Sequence, residues 1–492
     1  MNYRDHTLQE IDQVMQKAWE AFLVYRKISL LERADFMRMI ASEIEGLGDE
    51  LIEVAAAETH LKEARLRSER ARSLMQLRSY GAAAEKGDWL EARIDHADNE
   101  RNPPKPEIRK MLIPLGPVVV FGASNFPFAY STAGGDTACA FAAGCPVIVK
   151  AHPAHVQTST LVAGAIGRAV QKSGLPEAVF THVYGQSTEV GKALVMNRYT
   201  KAVGFTGSFQ GGKALFDWAN GREEPIPVFA EMGSINPVFL LPEKLKSSAA
   251  SVAEMYAASI TLGAGQFCTN PGIIFGIEGE DLDVFVNELA QRIRRSSPEK
   301  MLHTGIAKNY ASKKKELFEN GAAEEIAVAE EKAEDELVGS ATIASASAKA
   351  FLQNPLLHHE VFGPYSLIIR CRDLEEMNAA ARASAGQLTA TLMATEKDIL
   401  QNQELVESVK NICGRLIMNS VPTGVEVCLS MHHGGPYPAT TDSRFTSVGA
   451  DGIKRFARPL SFQNWPDSLL PPELKESNPL AIWRTVNGEL SK

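Results

Sequence analysis

PVVVFGASNFPFAYSTAGGDTACAFAAGCPVIVK, residues 117–150, is the stretch that decides the fold. Residues 117–123 form a valine-rich apolar run that ends at a glycine, the pattern of a buried strand. Residues 133–144, rich in Ala and Gly and closing on Gly144, read as a helix with a glycine stop. Residues 146–150 are a second strand, and 158–174 a second helix that ends at Gly174. Residues 178–185 and 201–207 read as further strands. This alternation predicts an α/β fold built on a parallel, doubly wound sheet. Residues 8–90 differ: their apolar positions recur at intervals of three and four, so they are expected to be helices. Doubly wound sheets bind ligands at the carboxyl ends of their strands. That rule singles out Asn125, Lys150, Gly185, Gly207 and Glu231.

Composition narrows the function. The chain has 492 residues, 45% hydrophobic and 23% charged, an ordinary globular composition with room for more than one core. The net charge is −9 and no long basic run occurs, which argues against nucleic acid as partner. The N-terminus, MNYRDHTLQEIDQVMQKAWEAF, is charged and lacks the apolar centre of a signal peptide. No apolar run is long enough for a membrane span. The six cysteines, Cys139, Cys145, Cys268, Cys371, Cys413 and Cys428, are sparse and form no C-x-x-C pair, so a reducing, cytoplasmic setting is expected. The pairs His358–His359 and His432–His433 lack metal-ligand spacing, and no metal is expected. Residues 319–340, rich in Ala and Glu, read as a solvated helix or surface excursion, and 435–447 as a long loop.

One cysteine stands apart. GAGQFCTNPG, residues 263–272, sets Cys268 among glycines and turn-forming residues, not among the apolar neighbours of a structural thiol. A thiol attacks as thiolate and needs a base or dipolar donors close by. The strand ends supply candidates. Asn125 carries an amide that could hold an oxyanion, and Glu231 a carboxylate that could activate water. Lys150 could bind the hydroxyls or phosphates of a nucleotide, and GFTGS, residues 204–208, could offer backbone N–H groups to a pyrophosphate.

The ordered set SNFPF, VIVKAHPAH, GFTGS, AEMGSINP, GAGQFCTNPG and HHEVFGP resembles the aldehyde dehydrogenase superfamily along nearly the whole chain. The closer resemblance is to the 2,5-dioxovalerate (α-ketoglutaric semialdehyde) dehydrogenases and the related NADP-linked fatty aldehyde dehydrogenases, carried by GASNFPFAYSTAGGDTACAFAAGCPVIVKAHPAH, FAEMGSINPVFLLP and GGPYPATTDSRFTSVG. The resemblance implies that Cys268 is the nucleophile, forming first a thiohemiacetal and then a thioester. It implies that the Asn125 side chain and the Cys268 N–H hold the oxyanion, and that Glu231 activates the water that releases the acid. Lys150 would hold the adenosine ribose, Gly207 and Ser208 the pyrophosphate, and Glu360 the nicotinamide ribose. Phe362 would pack near the nicotinamide, and Phe267 and Thr269 would line the substrate channel. The retained Glu231 favours a free acid over acyl transfer to a thiol. The expected reaction is NAD(P)-dependent oxidation of 2,5-dioxovalerate to 2-oxoglutarate, or, alternatively, oxidation of medium and long aliphatic aldehydes.

The departures from the family pattern refine this. Where many NAD-preferring members carry a glutamate, this chain has Pro153, which removes a like-charge penalty against a 2′-phosphate. NADP use, alone or beside NAD, is expected, with Lys150 and His152 as nearby contacts. The carboxylate of a dioxo acid calls for a cation, and Arg444 in TTDSRFTS is the candidate. The resemblance also implies a cofactor-binding domain (1–94 and 112–231), a catalytic domain (232–435), and an oligomerisation arm with the C-terminal tail (95–111 and 436–492) that forms homodimers or homotetramers.

Overall fold

The computed structural model describes residues 3–331 and 335–492. It opens with four helices, Leu8–Tyr25, Leu30–Glu45, Gly48–Thr59 and Glu63–Lys86. The first two begin at reciprocal capping boxes, Thr7 with Glu10 and Ser29 with Glu32, which satisfy the otherwise orphaned N–H groups.

The expected parallel sheet is present. Its spatial order is Phe180–Val183, Val147–Lys150, Val118–Phe121, Ala202–Thr206 and Val228–Glu231, with every pairing parallel. The helix Gly135–Ala143 returns the chain between the first two strands and stops at Gly144, φ +96°. A Cβ on Gly144 would lie 2.7 Å from Cζ of Arg33, whose Nη1 donates to the Ala143 carbonyl at 3.0 Å. The N-terminal helices dock here through Tyr25, Phe36 and Phe141, with ring centroids 5.1–6.5 Å apart. All three rings are fully buried, and cutting one back to alanine would cost about 3–5 kcal/mol.

A second sheet follows in the order Glu324–Val328, Thr342–Ser347, Tyr365–Cys371, Ile273–Ile277, Val238–Leu240, Gln387–Met393 and Cys413–Met418. Only the outer strand Glu324–Val328 runs antiparallel. It occupies the Ala/Glu-rich segment read as a helix or excursion: pairing with Thr342–Ser347 overrides the helix propensity of the glutamates. Residues 332–334 of that segment lie outside the described residues. A third sheet joins distant parts of the chain in the order Ala457–Gln463, Ile108–Pro114, Arg93–Asp95, Arg484–Val486 and Glu489–Ser491. Among the described residues, no helix is long and apolar enough to cross a membrane.

Candidate active site

Cys268 sits between the first two sheets, beside the carboxyl end of Val228–Glu231 in the first and at the amino ends of Val238–Leu240 and Ile273–Ile277 in the second. Its loop is shaped by three consecutive left-handed residues, Gly263, Ala264 and Gly265. At Gly265 a Cβ would lie 2.2 Å from the carbonyl oxygen of Gly363, so only glycine allows the loop to pack on the segment that carries Glu360 and Phe362. Asn236 fixes the other side, its Nδ2 donating to the carbonyls of Cys268 at 2.8 Å and Asn270 at 2.9 Å. Its own oxygen accepts from Ser234 and Thr389. This buried network explains the polar residues of GSINP: they hold the cysteine loop in place. No hydrogen bond involves the Cys268 backbone N–H among the described residues.

Asn125 reaches the same loop, its Nδ2 donating to the Gln266 carbonyl at 3.1 Å. An amide nitrogen carries two hydrogens, so one remains uncommitted within reach of the loop that carries Cys268. Glu231 ends its strand almost completely buried. Its Oε1 lies 3.1 Å from His433 Nε2, and its Oε2 accepts from the Ser447 hydroxyl at 2.9 Å. His433 Nε2 is also 3.7 Å from the Cys268 sulfur. The sulfur, a Glu231 oxygen and a His433 nitrogen all lie within 4.8 Å of one another.

The electrostatics follow from this packing. Burial pushes the Cys268 thiol well up, the neighbouring carboxylate of Glu231 adds to that, and Arg72 pulls the other way. For Glu231, burial opposes ionisation, but attraction to His433 and hydrogen bonds from His433, Ser447 and Cys268 outweigh it. The carboxyl stays below its ordinary value. The cluster therefore sets a thiol held protonated beside a carboxylate held ionised.

The nucleotide side is equally defined. Lys150 ends its strand half-buried, and burial lowers its ammonium. Gly207 and Ser208 are exposed at the start of the helix Phe209–Asn220, with the Ser208 hydroxyl accepting from the Gly211 N–H at 3.2 Å. The first N–H groups of that helix face solvent beside the strand ends, as a pyrophosphate requires. A Cβ on Gly233 would lie 2.6 Å from Oε2 of Glu360, a side chain that burial pushes up to about 7. Phe362 is half-buried on the same segment. His152 caps the turn Pro153–His155 through Nδ1 and lies against His155, and burial holds it well below the ordinary imidazole value. It brings no positive charge for a 2′-phosphate near neutral pH.

Phe267 is half-buried and edge-on to Phe126, whereas Thr269 is 1% exposed and packed beneath the loop. Arg444 lies at the surface, with no hydrogen bond to the Cys268 cluster among the described residues. Its side chain is 80% exposed and pairs through Nε and Nη2 with both oxygens of Asp442 two residues before it. The cations near the thiol are instead Arg72 and Arg415. His433 and Ser447 were missed as well. Their only signal in the sequence is position, at the two ends of the long loop 435–447.

Residues 1–450 match the aldehyde dehydrogenase family. The chain is 49% identical over 481 residues to alpha-ketoglutaric semialdehyde dehydrogenase 2 of Azospirillum brasilense, covering 98% of this chain and 91% of the relative. It is 46% identical over 490 residues to the alpha-ketoglutaric semialdehyde dehydrogenase of Acinetobacter baylyi, covering 99% and 92%. Among solved structures, a 1-pyrroline-5-carboxylate dehydrogenase from Thermus shares the fold with a TM-score of 0.78 at 19% identity, covering 94% of this chain and 86% of that one. A glyceraldehyde-3-phosphate dehydrogenase from Methanocaldococcus jannaschii does so at 0.77 and 18%, covering 93% and 95%. A thiol presented on a glycine loop between a buried carboxylate and an amide thus coincides with a match along nearly the whole chain: the protein belongs to the aldehyde dehydrogenase family.

Proposed function

We propose that the protein oxidises 2,5-dioxovalerate to 2-oxoglutarate. The observation that carries this reading is the Cys268–Glu231–His433 cluster, in a chain nearly half identical to two enzymes named for that semialdehyde. The carboxylate of Glu231 takes the thiol proton, and the freed sulfur adds to the aldehyde carbon. The oxyanion that forms is held by the second Nδ2 hydrogen of Asn125 and the Cys268 N–H, donors that need no reorganisation as charge develops. Loss of hydride from the thiohemiacetal carbon leaves a thioester on Cys268. Glu231 gives up the thiol proton to solvent and, ionised again, takes a proton from water, whose oxygen attacks the thioester; the thiolate leaves and the acid is released. An ionised carboxylate only accepts hydrogen bonds, so His433 Nε2 carries its hydrogen towards Glu231 and steadies whichever anion stands beside it.

A nicotinamide cofactor supplies, when bound, the hydride acceptor. Gly207, Ser208 and the exposed helix start suit its pyrophosphate, Lys150 the adenosine ribose, Glu360 the nicotinamide ribose and Phe362 the ring. Pro153 brings no charge against a 2′-phosphate and no arginine stands beside it, so both NADP and NAD are used. The division into cofactor domain, catalytic domain and arm rests on the three sheets. The arm joins copies into a dimer or tetramer, a reading supported by the outer strands Glu489–Ser491 and Cys413–Met418, where Leu416, Met418 and Leu490 are exposed. A cytoplasmic setting rests on the six free thiols. The aromatic wall of Phe126, Tyr130 and Phe267 favours a second reading, oxidation of longer aliphatic aldehydes.

The test is reduced-cofactor formation with 2,5-dioxovalerate and pentanal side by side, in NADP and then NAD. A much higher specificity constant for the dioxo acid is expected, and a higher one for pentanal would overturn the substrate. Cys268→Ala is expected to abolish turnover while cofactor still binds. Glu231→Gln is expected to slow both attack by the thiol and deacylation, so that the acyl-enzyme that does form, followed by mass, decays slowly.

A further inference from the structure

Arg444 pairs with Asp442 at the surface, whereas the helix Glu63–Lys86 carries two arginines on one face nearer the thiol, Arg65 and Arg72, two turns apart. Their surroundings differ. The Arg65 guanidinium lies 5.1 Å from the Phe126 ring centre and 4.8 Å from that of Phe267. Its Nη2 donates to the Asn125 carbonyl at 2.7 Å, and its Nη1, buried without a partner among the described residues, stands against Gly263, where a Cβ would lie 2.8 Å from it. Arg65 is therefore a clamp between the Asn125 and Cys268 loops. A third guanidinium, Arg415, has both Nη groups bonded, to the carbonyls of Gly424 and Pro422.

Arg72 is not used up in this way. Its one side-chain hydrogen bond is a long contact, Nη2 to the Tyr130 hydroxyl at 3.5 Å, and its Nε is buried without a partner among the described residues. Glu69, one turn earlier, does not neutralise it at close range, since Oε1 accepts from the backbone N–H groups of Phe128 and Ala129 at 2.9 and 3.0 Å. Tyr130, which Arg72 faces at 5.9 Å, stands in a row of rings with Phe126, Phe267 and His433, and that row runs to the thiol. A partly desolvated guanidinium without a close partner, beside a wall of rings, is a site for a carboxylate, which it can take with two parallel hydrogen bonds.

We propose that Arg72 anchors the carboxylate of the substrate, holding the acid end of a short 2-oxo acid along the ring wall while its aldehyde meets Cys268. This rests on the functional reading above and adds the residue that selects for an acid.

The experiment compares wild type, Arg72→Met and Arg72→Lys on 2,5-dioxovalerate and pentanal, and on succinic semialdehyde and butanal. Loss of a charge-assisted contact predicts a KM for the acidic aldehydes raised roughly tenfold to a hundredfold in Arg72→Met, with kcat little changed. The uncharged aldehydes are expected to lose much less, only the common factor that removing a cation near the thiol imposes on every substrate, and Arg72→Lys to recover part of the loss. Equal loss on acidic and uncharged aldehydes, or an unchanged KM for the acids, would overturn the anchor. Thermal midpoint and cofactor binding confirm that each variant is folded. The substrate reading is judged separately, on wild type alone: indifference to 2,5-dioxovalerate there would refute it, while succinic semialdehyde against butanal still reads the anchor.

Discussion

His433 Nε2 lies 3.1 Å from Oε1 of Glu231, although 202 residues separate them. Both side chains are almost fully buried, so this hydrogen bond keeps a carboxylate ionised inside the protein, where desolvation would otherwise neutralise it. The same nitrogen reaches towards the thiol at 3.7 Å. One imidazole nitrogen thus stands beside both the carboxylate and the thiol.

Replacing His433 by Ala removes the donor and the favourable charge, so burial is free to push Glu231 upward. The base is active when ionised, and the acid limb of the kcat/KM profile is expected to move to higher pH. The rate at neutral pH is expected to fall roughly tenfold to a thousandfold, the range of a lost acid–base aid. A pH–rate series checks this, and an unmoved acid limb would remove His433 from the role.

Gly265 combines φ +63° with a carbonyl 2.2 Å from where a Cβ would stand. Gly265→Ala is expected to cost more than about 2 kcal/mol and to lose most activity, because the loop must shift to relieve the clash. Gly321, at φ +61° with open space around it, is the control. Its alanine variant pays only the backbone penalty, about 1 kcal/mol. Thermal unfolding of the two separates clash from conformation.

Glu360 is pushed up to about 7 by burial, against the opposing pull of Lys313. A raised carboxyl favours the folded state while it is protonated and loses that contribution as pH climbs from the ordinary carboxylate range through about 7. Its carboxylate must ionise to accept both hydroxyls of a ribose, so cofactor affinity is expected to rise over the same window. Fluorescence titration of NADP from acid to mildly alkaline pH reads this, and Glu360→Gln is expected to flatten the curve.

Arg109 ties the third sheet together. Buried itself, it pairs with Glu107 at 2.9 Å, Asp467 at 3.1 Å and Glu476 at 2.9 Å, and donates to the Leu474 carbonyl at 2.6 Å. Arg109→Met leaves three acids facing one another and is expected to cost about 3 kcal/mol, since the acids are partly solvated. If the arm joins the copies, light scattering will show a smaller assembly. An unchanged mass would show that the oligomer is held elsewhere.

Cys268, Glu231 and Asn125 were legible because each lies where a local pattern ends: a glycine turn, or the last residue of an apolar strand. The strands at 117–123 and 146–150 were legible for the same reason, since valine runs bounded by glycine and proline have few alternatives. The strand Glu324–Val328 was not, because its composition favours a helix and only the neighbouring strand supplies the pairing. The pairing of Arg444 with Asp442 was not legible either, because an arginine in a long loop looks available until its neighbour is placed.

By itself, then, the sequence determined the alternation of strands and helices, the presented thiol, and the carboxylate and amide at strand ends, all set by residues close to one another along the chain. Tertiary structure alone decided that His433 and Ser447 would close on Glu231, that Asn236 would hold the cysteine loop, and that Arg72, not Arg444, would be left with a buried donor without a partner. The physical reason is that hydrogen bonds, ion pairs and desolvation depend on distance in space. Residues two hundred positions apart acquire their partners only when the sheets have packed.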